Sequence, residues 1–185
     1  MLILLTKNKN IRFIPGYSQK KIKKRILFPV NDMKKEYTFN ELLHKAASYC
    51  SISEHCISEV NDKLKAWQVD EADRKKIIDQ LCEDDFINEK RFCKAFVRDK
   101  FHLNKWGKIK ISMALREKGL SNDLITAALK VIDEGEYEEL LASLLKSKQN
   151  TIKYEFEYEK QGKLYQFAQS RGFENQVIER VLRLI

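Results

Sequence analysis

Proline is nearly missing from this chain, with two in 185 residues, and glycine is scarce at six. Few breakers fall inside the periodic stretches, which excludes a turn-rich β fold and leaves long helices. Long hydrophobic runs are missing too. Leu2-Ile3-Leu4-Leu5 is too short for a signal-peptide core, and no stretch approaches a membrane span, so no membrane contact is expected. The four cysteines (Cys50, Cys56, Cys82 and Cys93) form no C-x-x-C pair, and His44, His55 and His102 form no ligand cluster. Structural zinc is therefore not expected. Cys82 and Cys93 fall near apolar helix positions and read as buried free thiols, which suits a reducing cytosol. There is no glycine-rich phosphate loop, no zinc-binding His pair on a helix and no G-x-S-x-G turn. Nothing nominates a catalytic residue or a cofactor site, so the expectation is a protein that is not an enzyme.

What is present is charge, unevenly placed. The net charge of +8 is a sum of unlike parts. Residues 1–35 carry +9, residues 36–88 carry −6, residues 89–118 carry +7 and residues 119–185 carry −2. Such alternation suits a polyanion or a partner whose own charge alternates.

From Thr38 the apolar residues recur at helical spacing almost to the end. Leu42, Leu43, Ala46 and Ala47 predict a first helix, and Ser53 is the candidate N-cap of a second carried by Cys56, Ile57, Val60 and Leu64. A third runs from Asp73 to Glu83. Asn88 is the candidate cap of a fourth, ending near His102. A fifth covers Ile109 to Lys118, with Gly119 as its left-handed stop and Ser121 capping a sixth. Leu140 to Leu145 mark a seventh. Tyr154, Phe156, Tyr158, Leu164 and Ala168 mark an eighth ending at Arg171-Gly172, and Val177 to Ile185 a ninth.

These helices repeat in threes. With Val69, Leu120 and Phe173 in register, Ile78, Leu129 and Leu182 align nine positions on, and Gln68, Gly119 and Gly172 one position back. The period is 51 and then 53 residues. The expected fold is all-α: three tandem three-helix repeats forming an elongated, curved array. The expected boundaries are 1–35 for a basic arm, 36–87 for an acidic first repeat, 88–135 for a second repeat with a basic first half, and 136–185 for a third. Arrays of this kind expose long surfaces and suit a large or filamentous partner.

The candidate contact residues lie at the junction of the first two repeats and just beyond it. Glu83-Asp84-Asp85 can serve the start of the next helix, meet a basic partner, hold Mg²⁺ given convergent ligands, or simply be a solvated turn. Arg91, Lys94 and Arg98 share a helix face at i, i+3 and i+7. Lys105, Lys108, Lys110, Arg116 and Lys118 follow on the next helix, where they either bind or form an ordinary solvated face. Trp106 between the helices either stacks on a base or packs in the core. The arm, with Lys20, Lys21, Lys23, Lys24 and Arg25, either touches nucleic acid, is a flexible tail, or lies upstream of a true start at Met33.

These residues also carry a resemblance. Leu81, Asp84-Asp85-Phe86-Ile87-Asn88-Glu89-Lys90-Arg91-Phe92 and Ala95-Phe96-Val97 come first. Gly107, Ile111, Leu115-Arg116 and Lys118-Gly119-Leu120 follow, then Arg171-Gly172-Phe173, Ile178 and Val181-Leu182. In that order, over about Phe39 to Ile185, the chain resembles RecX, the bacterial regulator of the RecA recombinase. The family often shows aspartate where Asn88 stands and alanine where Cys93 stands. Residues 1–35 have no counterpart in it.

The resemblance implies a monomeric, cytosolic, non-enzymatic protein that acts in DNA repair, the SOS response and homologous recombination. It implies binding to RecA and to its filament on single-stranded DNA, which limits filament growth and lowers ATPase and strand exchange. The candidate partner-binding residues are then Asp84, Asp85, Arg91, Lys94, Arg98, Lys105, Lys108, Lys110, Arg116, Lys118 and Arg171. A sequence-independent nucleic-acid-binding module, acting through the arm and second repeat, is the competing expectation. A generic helical scaffold is a third.

Overall fold

The computed structural model describes residues 37–185, so the readings placed on residues 1–35 lie outside the described residues. Among those residues every element is helical. The first repeat holds α1 (Phe39–Ile52), α2 (Ile57–Ala66) and α3 (Glu71–Glu83). The second holds α4 (Glu89–His102), α5 (Lys108–Glu117) and α6 (Asn122–Leu129). The third holds α7 (Glu134–Gln149), α8 (Glu157–Arg171) and α9 (Asn175–Leu182). No helix among them is long and apolar enough to cross a membrane.

The helix starts are written in the sequence. Thr38 and Glu41 form a capping box on α1, and Asp70, Asn88, Ser121 and Asp133 each accept a hydrogen bond from the third backbone N–H of α3, α4, α6 and α7. Each such cap satisfies a donor that the helix itself cannot. The second helix of every repeat stops at a residue with positive φ, at Gln68, Gly119 and Gly172.

Three expectations are corrected. Ser53 does not cap α2; it ends α1, its hydroxyl bonds His55 Nε2 at 2.9 Å, and Cys56 takes the cap position. Cys82 is exposed, because α3 buries Ile77 and Leu81 and Cys82 lies one step round from them. Tyr154 and Phe156 precede α8 and are exposed, so Leu164 and Ala168 alone form its buried stripe.

The core is in two parts. Leu42, Ala46, Val60, Leu64, Ile77 and Leu81 close the first repeat on itself. A second, larger cluster runs through the other two repeats, from Phe92, Val97 and Phe101 through Ile111 and Leu115 to Tyr137, Leu141, Phe173 and Ile178. Cys56, from the first repeat, belongs to this second cluster. The ring of Tyr137 lies 6.0 Å from Phe101 and 5.0 Å from Phe173, and all three are almost fully buried. Burial of each such side chain contributes about 1.5–3 kcal/mol.

One docking arrangement joins the repeats twice. The start of α2 meets the turn after α5, where Ser58 Oγ donates to the Lys118 carbonyl at 2.8 Å. The start of α5 meets the turn after α8, where Gly107 N–H donates to Arg171 O at 2.8 Å and Ile109 N–H to Gly172 O at 3.0 Å. Cys56 and Gly107, the two N-caps, occupy equivalent places.

Candidate partner interface

The acidic turn after α3 is built around Asp85. Asp85 adopts φ 57°, closing the helix with Phe86 N–H on Leu81 O at 2.9 Å. Its carboxylate accepts from Asn88 Nδ2 at 2.9 Å and from Arg91 NH1 at 2.6 Å. The hydrogen bond from Asn88, helped by the Arg91 guanidinium, holds the Asp85 carboxyl below the usual carboxylate range. Arg91 also donates through Nε to Glu54 Oε1 at 2.7 Å and through NH2 to the Asp85 carbonyl at 2.8 Å. One guanidinium thus clamps the α1–α2 loop and the α3–α4 turn to the first turn of α4. The other Glu54 oxygen, Oε2, is buried with no hydrogen-bond partner among the described residues. Asp84 ends α3 and accepts from Gln80 Nε2 at 3.1 Å. No three acidic, histidine or cysteine side chains among the described residues come together to hold a metal.

Most of the other candidate cations are likewise engaged within the fold. Lys118 pairs with Glu59 across the first junction, and Glu59 also takes His55 Nδ1 at 2.9 Å. Burial alone would raise the Glu59 carboxyl, but the hydrogen bonds from Lys118 and His55 outweigh it and hold the group low. The bond to Glu59 raises Lys118 in turn. Lys108 pairs with Glu134, and its backbone N–H donates at 2.9 Å to the hydroxyl of Tyr137. That hydroxyl donates to Glu174. Burial, and then the Glu174 carboxylate, push the phenol well above its ordinary value. Lys110 donates to Ser170 O at 3.4 Å and Arg171 NH1 to Asn104 O at 3.3 Å. Trp106 is half-buried against the core, with Lys100 Nζ 5.3 Å and Lys110 Nζ 4.8 Å from its ring centre. Arg116 is exposed and donates to Asn122 Oδ1 at 2.9 Å.

Among the described residues, a stripe on α4 carries cations without an ion pair. Lys90, Lys94 and Arg98 are exposed at i, i+4 and i+8, and none has an ion pair among the described residues. At 1.5 Å per residue their Cα atoms step along the helix by about 6 Å. Lys105, just beyond, is exposed at φ 58°.

The family models of RecX fall on this architecture in order. The second three-helix domain of RecX matches residues 88–129, and the third matches residues 136–182. The regulatory protein RecX of Clostridium beijerinckii is 32% identical over 129 residues, which is 69% of this chain and 60% of that protein. That of Clostridium botulinum (strain Alaska E43 / Type E3) is 37% identical over 127 residues, 68% of this chain and 59% of that protein. The chain belongs to the RecX family. It spans about 60% of the length of these clostridial relatives. The crystal structure of RecX from Lactobacillus salivarius is 24% identical, with a TM-score of 0.71, covering 79% of this chain and 95% of that one. That likeness carries the fold, the tandem three-helix array.

Set on the RecX domains, the matched second domain begins at Asn88, the cap of α4, and contains the free stripe. Sequence reasoning missed Lys90 as a member of the stripe, because Arg91 offered a closer spacing to Lys94. It also missed the acceptors Glu54 and Glu59 and the Tyr137–Glu174 pair. An aromatic Tyr at the fourth position of α7 and a Glu just before α9 were the available signal.

Proposed function

We propose that this protein binds RecA and the RecA filament on single-stranded DNA, and that it modulates, mostly by inhibition, filament extension, ATP hydrolysis and strand exchange. The reading is of a monomeric cytosolic regulator without chemistry of its own. Its carrying observation is the ordered pair of RecX domains on an array whose second repeat presents Lys90, Lys94 and Arg98 with no ion pair among the described residues. A tandem array with long exposed faces suits a filament groove, and unpaired cations suit an acidic protomer surface or phosphate. The same stripe favours one alternative, direct sequence-independent binding to nucleic acid.

The test is DNA-dependent ATP hydrolysis by the cognate RecA on single-stranded DNA, with the full chain added well below the RecA concentration. Strong inhibition at that ratio is the expected result. Inhibition only when the protein saturates the DNA favours the alternative. No inhibition at any ratio sinks both.

A further inference from the structure

The start of α8 is where the third repeat departs from the first two. α2 and α5 begin eleven residues before Gln68 and Gly119, whereas α8 begins fifteen before Gly172. Four extra residues make about one helical turn. That turn stands on the end which, in α2 and α5, seats the next repeat. Tyr158, in that turn, and Tyr154 and Phe156, in the segment that leads into it, lie outside the core. Tyr154, Phe156 and Tyr158 are 44%, 55% and 72% exposed. The rings of Phe156 and Tyr158 stack on each other, centres 5.6 Å apart and planes 13° from parallel. Glu155, Glu157 and Glu159 alternate with them.

We propose that this acidic and aromatic surface docks a lysine- or arginine-bearing turn of a partner protein. The inference rests on the RecA reading and names the surface that would touch the filament protomer. Three observations carry it. The surface already takes an ammonium from its own chain: Lys160 Nζ lies 5.4 Å from the Tyr154 ring centre and 2.8 Å from Glu157 Oε1. The stacked Phe156–Tyr158 pair, with the exposed Glu155 next to it in sequence, offers ring faces and a carboxylate that has no ion pair among the described residues. The established junctions are continuous with it in kind. The equivalent ends of α2 and α5 seat Lys118-Gly119-Leu120 and Arg171-Gly172-Phe173, in each case a basic residue followed by a left-handed glycine. Finally, Glu157 and Glu159 are paired with Lys160 and Lys163, but the exposed Glu155 carboxylate has no ion pair among the described residues, and its charge beside the rings disfavours a phosphate-bearing base there.

The test uses the full chain, with Phe156→Ser plus Tyr158→Ser as one variant and Glu155→Lys as a second. All three positions are exposed, so both variants are expected to melt as the parent does. Binding is measured to RecA filaments on single-stranded DNA and, separately, to naked single-stranded DNA. The double variant is expected to bind filaments at least about tenfold more weakly, Glu155→Lys to bind them more weakly as well, and both to bind naked DNA unchanged. Parental filament binding by both variants overturns the proposal and leaves the RecA reading standing. Loss of naked-DNA binding by the double variant overturns it in favour of base stacking. A parent chain that does not bind filaments overturns the proposal together with the reading beneath it.

Discussion

Gly107 and Gly172 touch backbone to backbone across the second junction. A Cβ on Gly107 would lie 2.3 Å from the Gly172 carbonyl carbon, and a Cβ on Gly172 would lie 2.3 Å from Lys110 Cβ. No rotamer change relieves a clash with backbone, so the contact needs glycine on both sides. Gly119, the equivalent of Gly172 at the first junction, has φ +84° but open space around its missing Cβ. Gly107→Ala is therefore expected to cost about 2–4 kcal/mol, and Gly119→Ala only about 1 kcal/mol from its left-handed backbone. Urea unfolding of the two variants beside the parent measures the difference. Equal losses would show that the second junction yields more readily than its geometry indicates.

Arg91 is expected to behave as a positioning residue of the first junction. Its guanidinium spends its donors on Glu54, Asp85 and the Asp85 carbonyl. Arg91→Met removes all of them and leaves Glu54, whose other oxygen has no partner among the described residues, without its cation. A lower unfolding midpoint and faster amide exchange at the start of α4 are the expected results. Lys in the same place is expected to restore little, since an ammonium cannot span three acceptors as the planar fork does. Full stability of Arg91→Met would mean that the clamp is idle.

The array itself was legible from a single chain because its signals are local. Asn88, Ser121, Gly119 and Gly172 mark starts and stops by their own chemistry, and the three-fold register follows from apolar spacing. Which cations are free was not legible. Arg91 looks equivalent to Lys94 and Arg98 on a helical wheel, yet its acceptor Glu54 lies 37 residues away in sequence. Periodicity gives the face of a helix and not the neighbour that covers it. Ser53 misled for the same reason. As a cap residue it was a sound choice locally, but the loop it belongs to is shaped by His55, which reaches Glu59 and stacks on Tyr49 with ring centres 4.0 Å apart.

Reversal of the free stripe separates function from stability. Lys90→Glu, Lys94→Glu and Arg98→Glu together change three exposed side chains that have no ion pair among the described residues. Unfolding is expected to shift little, while inhibition of RecA ATP hydrolysis falls and loses part of its salt dependence. Including Arg91 in the reversal would confound the result, because its loss opens the first junction. Unchanged inhibition, with unchanged salt dependence, would remove the stripe from the interface.

The Glu59–Lys118 pair sets a pH window for the first junction. The Glu59 carboxyl is held below its ordinary value, so its stabilisation is present above the ordinary carboxylate range and is lost as pH falls through the lowered value. Lys118 is raised above the ordinary lysine value, so its share is present below that value and is lost as pH rises through the raised one. Both side chains are 28% exposed, and a charge-assisted bond in such a place contributes about 1–2 kcal/mol. Glu59→Gln is therefore expected to be less stable than the parent at neutral pH by about that amount. The difference should shrink as pH is lowered through the acid limb, because the parent then carries a neutral carboxyl as well. Urea midpoints of parent and Glu59→Gln, measured from neutral pH into the acid range, decide it. Parallel curves would mean that Glu59 contributes through its shape in the junction and not through its charge.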